Sequence, residues 1–281
     1  MEWIKYHEAE KVFDLRTEHS TYQMQVREYD TLVHLYYGSP VGDALITDRI
    51  VCVDRGFSGN PYEAEKDKTF SLDTLPQEYT AYGNGDYRIN GLETEQADGS
   101  DTANLKLESY EITKGKYSLK GLPAMFAKED EAETLEIVLT DRVSGLKAHL
   151  LYGVFPHLDV ITRAVRLENT GTAPVTVKKA MSMEMDYEYR ELDAVHFYGR
   201  HNMERQMERT HLGHGNWSVG SIRGTSSHHH NPFVILCDRN TEETYGNCYG
   251  YALAYSGNFL FETEVDQVGH TRVAMGIHPY H

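Results

Sequence analysis

Residues 223–233 read RGTSSHHHNPF, and three consecutive histidines are the first side chains in this 281-residue chain that could hold a metal or pass a proton. An affinity tag is excluded, because Asn231, Pro232, Phe233 and more strand-like sequence follow the triplet. In an extended strand His228 and His230 would share a face and His229 would oppose them, which gives at most two metal ligands. His196, His201, His211 and His214 could add others, but the segment that holds them has no metal-ligand spacing. A packing or hydrogen-bonding role is the better reading, since Arg223, Ser226, Ser227 and Asn231 supply a polar setting for imidazoles. No metal and no cofactor is expected.

Two further stretches carry groups that could recognise a sugar. LPQEYTAYGNGDYR, residues 75–88, intersperses Tyr79, Tyr82 and Tyr87 with Gln77, Glu78, Asp86 and Arg88. Aromatic faces suit sugar C–H edges, and carboxylates and guanidinium groups suit hydroxyls. Composition alone favours the plainer reading, a loop whose tyrosines cap a sheet. Gly83-Asn84-Gly85 does not open a helix after a buried parallel strand, so it is no dinucleotide fingerprint. In VCVDRGFSGNP, residues 51–61, a strand is expected to end at Val53 and deliver Asp54-Arg55 into a Gly- and Ser-rich loop. There the carboxylate could bond sugar hydroxyls or pair with its neighbour. No two carboxylates stand out as acid and nucleophile, and no Ser-His-Asp or Cys-His arrangement has a local signature.

The elements that must position these groups are strands. Tyr22, Met24 and Val26 alternate with Gln23 and Gln25, and Leu135, Ile137 and Leu139 share one face, the two-residue period of half-buried strands. TLEIVLT, the turn DRVSG and LKAHLLYGVF form a predicted hairpin ending its turn at Gly145. DVITRAVRLENTG, PVTVKKAMSMEMD, NPFVILCD, YGYALAYSG, NFLFETEV and TRVAMGI supply further strands between Gly, Asn, Pro and Asp turn signals. No segment keeps a 3.6-residue apolar stripe, so helices should be few and short. KEDEAE, residues 128–133, reads as a solvated connecting loop. The expectation is one all-β unit of packed antiparallel sheets. TRVAMGIHPYH is a strand barely finished where the sequence stops, which suggests a unit truncated before its last strands.

Composition limits the partners. The 27 Lys and Arg against 43 Asp and Glu give a formal charge of −16, with no basic cluster to offset it. Nucleic acid and anionic membrane surfaces are therefore excluded as partners. MEWIKYHEAEKV lacks the basic and apolar regions of a signal peptide, and no run reaches the roughly 18 apolar residues of a membrane span, so a cytoplasmic location is expected. Cys52, Cys237 and Cys248 cannot all pair and are read as reduced, mostly buried thiols, and the sequon Asn216-Trp217-Ser218 is then idle.

Taken together and in order, DRGFSGNP, TLPQEYTAYGNGDYR, ITRAVRLENTG with PVTVKKAMSMEMDY, and RGTSSHHHNPF resemble the N-terminal region of bacterial α-galactosidases of glycoside hydrolase family 36. The last stretch matches the family's Arg-Gly-x-Ser-Ser-His-x-His-Asn-Pro, and the resemblance covers nearly the whole chain. It implies that residues 1–281 are an N-terminal β-supersandwich, two large packed antiparallel sheets, and that the catalytic (β/α)8 barrel with both aspartates is absent from them. The enzymes it resembles release terminal α-linked galactose, as from melibiose or raffinose, by a retaining double displacement. The resemblance further implies a homotetramer in which a supersandwich loop of one subunit closes the galactose pocket of another. On it, Asp54 matches the substrate-contacting Asp of that loop. Gly199-Arg200-His201 aligns loosely with a family Gly-x-Trp segment, with His201 in place of the tryptophan. His228 and His230 are then structural and interface residues. The chain alone should have no hydrolase activity. The alternatives are a free-standing carbohydrate-binding domain using Tyr79 to Arg88, which predicts sugar affinity in the isolated chain, and the supersandwich of another sugar enzyme such as a glycoside phosphorylase.

Overall fold

Along Glu133–Asp141 Leu135, Ile137 and Leu139 are buried while Glu136 and Val138 are less so, and the same two-residue period returns along Leu92–Gln96, Cys248–Ala252 and Phe259–Val265. A computed structural model describes residues 2–54, 56, 59–226 and 228–280. Among them the strands, in chain order, are β1 (Ile4–His7), β2 (Val12–Arg16), β3 (Thr21–Val26), β4 (Leu32–Gly38), β5 (Leu92–Gln96), β6 (Leu105–Lys114), β7 (Glu133–Asp141), β8 (Leu146–Phe155) and β9 (Val160–Asn169). They continue as β10 (Val175–Tyr187), β11 (Leu192–Arg200), β12 (Met203–His211), β13 (Gly215–Ser221), β14 (His230–Asp238), β15 (Cys248–Ala252), β16 (Phe259–Val265) and β17 (Thr271–Ile277). The described residues contain no α-helix, only short 3-10 turns at Glu28–Asp30, Thr47–Arg49, Tyr62–Ala64 and Pro156–Leu158. None of their helices is long and apolar enough to cross a membrane.

Every ladder between these strands is antiparallel, in four sheets. Two are sequential meanders, β1-β2-β3-β4 and β6-β7-β8-β9, and two are interleaved, β12-β11-β14-β15 and β13-β16-β17-β10-β5. The DRVSG hairpin forms as expected. Asp141 accepts from the backbone N–H of Ser144 at 3.2 Å and from its hydroxyl at 2.5 Å, and Gly145 takes the left-handed conformation (φ 77°) that ends the turn. Residues 128–132 form the expected loop, but Glu133 already belongs to β7. Its carboxylate accepts from the N–H groups of Trp3 and Ile4, both at 3.0 Å, which ties the first strand to the meander.

One core joins all four sheets, with Phe13, Met24, Ile137, Tyr152, Leu236 and Phe261 among its side chains. A second, smaller core of Val12, Val33, Leu35, Phe70, Leu72 and Leu75 lies on the opposite face of the first meander. This second cover corrects the half-buried reading of β3. Gln23 is buried, its amide donating to Asp14 at 3.2 Å and to the Ala44 carbonyl at 2.9 Å, and its oxygen accepts from the Ile46 N–H at 2.9 Å. The two consecutive strands around ENTGTAPV do not pair: β9 edges the second meander, and β10 crosses to the five-stranded sheet. There β10 uses Val175–Ala180 against β5 and Met181–Tyr187 against β17.

Candidate functional site

The polar groups of residues 75–88 point inward, which removes the sugar-binding alternative for this stretch. Arg272 on β17 is fully buried and grips Asp186 of β10 with two bonds of 2.7 Å. It also pairs with Asp86 at 2.8 Å and Glu184 at 3.2 Å. Arg88 clasps Asp86 through two bonds of 2.9 Å and donates to the Leu72 and Leu75 carbonyls. Gln77 and Thr80 present backbone N–H groups to Asp186 and Glu184, at 2.9 and 3.0 Å. Glu78 accepts from Tyr22 and from Tyr152 at 2.8 Å, pairs with Arg163 at 2.8 Å, and meets His34 at 3.1 Å. Tyr79 is buried as well, and only Tyr82 and Tyr87 of the stretch's tyrosines reach solvent. The segment is a buried ionic knot that pins a long loop across the sheets.

Within the knot, burial pushes the Glu184 carboxyl up to about 7, opposed by Arg272 and reinforced by Asp186. Burial also acts on Asp186, but Arg272 and Arg88 outweigh it and hold that carboxyl below its usual range. Carboxyls split in this way can act as acid and base in an active site. Here both are sealed from solvent and bonded on all sides, so they are structural groups. Sequence reading missed them. The available signal was Glu184 and Asp186 alternating with Met181, Met183 and Met185, which marks a strand buried on both faces.

Asp54 stands in the loop between the 3-10 turns Thr47–Arg49 and Tyr62–Ala64, and is exposed. Its Oδ1 accepts from the Gly56 N–H at 2.8 Å, an Asx-type closure. Its other oxygen has no hydrogen bond among the described residues. Arg55 lies outside the described residues, and with it the expected pairing of neighbours. The far side of the loop is braced: Asn60 donates to the Phe70 carbonyl at 2.7 Å, and Gly59 lies backbone to backbone against Gly85. A Cβ on Gly59 would stand 2.6 Å from the Gly85 carbonyl oxygen, and one on Gly85 2.9 Å from that of Gly59. Gly85 therefore serves as a bare seat for the Asp54 loop, while Gly83 lies against Thr102.

His201 sits exposed at the tip of the β11–β12 hairpin, and no contact joins it to Asp54 among the described residues. The histidine triplet is a turn rather than a strand, which corrects the shared face of His228 and His230: both His228 and His229 are exposed, and only His230 enters β14. The His230 ring lies 4.4 Å from His229 and 5.9 Å from His196, which itself meets Trp217 at 5.5 Å. Burial holds the imidazoles of His196 and His230 below their usual pKa, so they pack as neutral rings. Among the described residues no three His, Cys, Asp or Glu side chains gather as metal ligands. Of the cysteines Cys237 is buried and Cys52 half-buried, but Cys248 is exposed, contrary to expectation.

With this geometry in place, the chain can be set beside known proteins. A family model described as the glycosyl hydrolase family 36 N-terminal domain matches residues 30–281. The chain is 51% identical to the bifunctional alpha-galactosidase/sucrose kinase AgaSK of Mediterraneibacter gnavus, over 98% of this chain and 29% of that protein. It is 42% identical to alpha-galactosidase AgaA of Geobacillus stearothermophilus, over 99% of this chain and 38% of that protein. The solved galactosidase domain of AgaSK superposes with a TM-score of 0.96 at 51% identity, covering 98% of this chain and 38% of that one. A variant of AgaA from G. stearothermophilus in complex with raffinose superposes with a TM-score of 0.93 at 42% identity, covering 96% and 38%. The chain thus spans between a quarter and two fifths of the relatives it matches.

Proposed function

Because the chain belongs to the glycosyl hydrolase family 36 N-terminal domain family, we propose that it is the non-catalytic β domain of an α-galactosidase that acts on terminal α-linked galactose in the cytoplasm. In this reading its sheets form a supersandwich. It supports a homo-oligomer, a tetramer in the family, and lends the Asp54 loop to a substrate pocket whose catalytic aspartates lie in a barrel outside residues 1–281. The similarity to α-galactosidases across almost the entire chain carries the proposal. The geometry of Asp54 is in keeping with it. One carboxylate oxygen is held by Gly56, the other has no hydrogen bond among the described residues and could take a sugar hydroxyl, and the loop's far side is seated against Gly85. His201 is proposed as a second, weaker contact from the β11–β12 tip.

A chimera tests this. Residues 1–281 replace the matching part of AgaA, and hydrolysis of a chromogenic α-galactoside is compared with that of the 281-residue chain alone. The chimera is expected to be active and the chain inactive. Losing one charged hydrogen bond to substrate, by Asp54→Ala, should lower kcat/KM about tenfold or more. His201→Ala should have a smaller effect. Activity in the chain alone would place the catalytic carboxylates among residues described here as structural. An Asp54→Ala chimera with unchanged kinetics would remove Asp54 from the pocket.

A further inference from the structure

Arg49, Glu188 and Tyr189 were singled out by no sequence motif, yet they line one cleft of about 350 Å3 together with Tyr36, Arg190 and Asn247. It opens where the end of β4, the 3-10 turn Thr47–Arg49, the β10–β11 connection and the β14–β15 loop converge. Its back wall is fixed. Asp238 holds Arg190 with two bonds of 2.7 and 3.1 Å and accepts from Asn247 at 2.9 Å, and Arg190 donates to the Tyr249 hydroxyl at 2.6 Å. The mouth is aromatic. Tyr189 is 71% exposed, adopts a left-handed backbone (φ 45°) uncommon for a bulky residue, and rests edge-on against His270 at 4.5 Å.

The front of the cleft is unfilled chemically. Glu188 is half-buried, and among the described residues it has neither a hydrogen bond nor an ion pair, although Arg49 and His34 act on its charge from a distance. Arg49 likewise has no hydrogen bond or ion pair among the described residues. A carboxylate and a guanidinium facing one space without touching offer an acceptor and a fork of donors to whatever lies between. The charges balance: with Arg190 paired to Asp238 and Asp186 held in the core, Arg49 and Glu188 remain, one of each sign, and favour neither a cation nor an anion. A neutral molecule rich in hydroxyls, with C–H faces for Tyr36 and Tyr189, meets all these groups at once.

We propose that this cleft binds a saccharide of one to three rings, at a site distinct from the loop that carries Asp54. The site belongs to the β domain and needs no catalytic machinery. It also differs from the Tyr79–Arg88 stretch, whose polar groups are consumed within the core.

Titration of the 281-residue protein with raffinose, followed by calorimetry and by amide chemical shifts, tests it. Saturable binding is expected with Kd of about 1 mM or somewhat weaker, on the scale of a shallow site of this size. Arg49→Met, Glu188→Gln and Tyr189→Ala should each weaken binding about fivefold or more, while Asp54→Ala leaves it unchanged. Arg49 and Tyr189 are exposed, so their variants should keep the parent's thermal unfolding curve and report on binding alone. No saturation by raffinose, or equal binding by all three variants, would overturn the proposal. Loss of binding on Asp54→Ala would instead assign the sugar to the Asp54 loop, and would also overturn it.

Discussion

Glu184 shows how far a single residue's chemistry depends on partners distant in sequence. Its carboxyl sits near 7 in the folded protein against an ordinary 4.5. Between those values the folded protein holds a proton that the unfolded chain has lost, so this group's contribution favours folding at low pH and declines as pH rises through about 7. Glu184→Gln removes the titration and keeps the shape. The stability of the parent relative to this variant, measured by denaturant unfolding at steps from pH 4 to 8, is therefore expected to fall across that window and level off above it. A constant difference would show that the carboxyl does not titrate there. Neighbouring Asp186 contributes with the opposite sign, and taking the parent-minus-variant difference sets it aside.

At the scale of elements, the Asp54 loop depends on a contact between two backbones. Gly85→Ala forces a Cβ into the left-handed region (φ 83°) and to within 2.9 Å of the Gly59 carbonyl oxygen. A cost of about 1–3 kcal/mol is expected from the strain. In the chimera, KM for the α-galactoside should rise with little change in kcat, because the loop moves while the distant chemistry does not. Gly121→Ala is the control: its φ is 76°, but nothing lies within 4 Å of the added carbon. It should lose stability without the KM effect, and equal KM changes in both variants would show that Gly59 and Gly85 do not aim the loop.

The same scale explains Cys237 and Cys248, which oppose each other directly across β14 and β15. The neighbouring rung is hydrogen-bonded, Asp238 N–H donating to Asn247 O at 3.3 Å, so the cysteines occupy a non-bonded rung. Such a rung brings Cα atoms to about 4.5 Å, within reach of a disulfide. Burial raises the Cys237 thiol pKa, partly offset by Arg209, so exposed Cys248 should react first and Cys237 close the bond. Treatment with diamide, which takes up the two hydrogens the thiols lose, is expected to give an intramolecular 237–248 link in a peptide map. Dimers joined through Cys248 alone would refute that geometry.

Much of this element level was legible in the sequence. Strand-like runs between turn residues located most of β7 to β10 and β14 to β17, and Gly145 marked its turn; the two-residue period is plainest in β7, β15 and β16, which bury alternate positions. Gln23 was misread because a second core covers the other face of β3, which the residues 70–75 supplying it do not announce. The fate of Glu78, Asp86 and Arg88 was illegible for a related reason. A charged loop looks solvated until Arg272, Glu184 and Asp186, far along the chain, are known to meet it. The Arg49–Glu188 cleft, assembled from four separate connections, left no local pattern at all.

At the scale of the whole molecule, topology separates what can form early from what must wait. The β6-β7-β8-β9 meander pairs neighbours in sequence, and its β7-β8-β9 part, as in Thr140 with Lys147, closes only short loops. The five-stranded sheet needs Gln96 beside Val175 and Met185 beside Val273, closures that lose far more chain entropy before any contact repays it. The ionic knot depends on the same late step, because Arg272 and Asp186 meet only when β17 docks on β10. A chain of this length is expected to fold through an intermediate. Pulse-labelled hydrogen exchange during refolding should protect the amides of β7 and β8 first, and those of β5, β10 and β17 in a later phase. Until that phase the carboxylates and arginines of the knot remain hydrated, so Arg272→Met should leave early protection intact and abolish the later phase. Simultaneous protection of both sheets would mean that the knot forms in the first collapse, and that local pairing does not set the order.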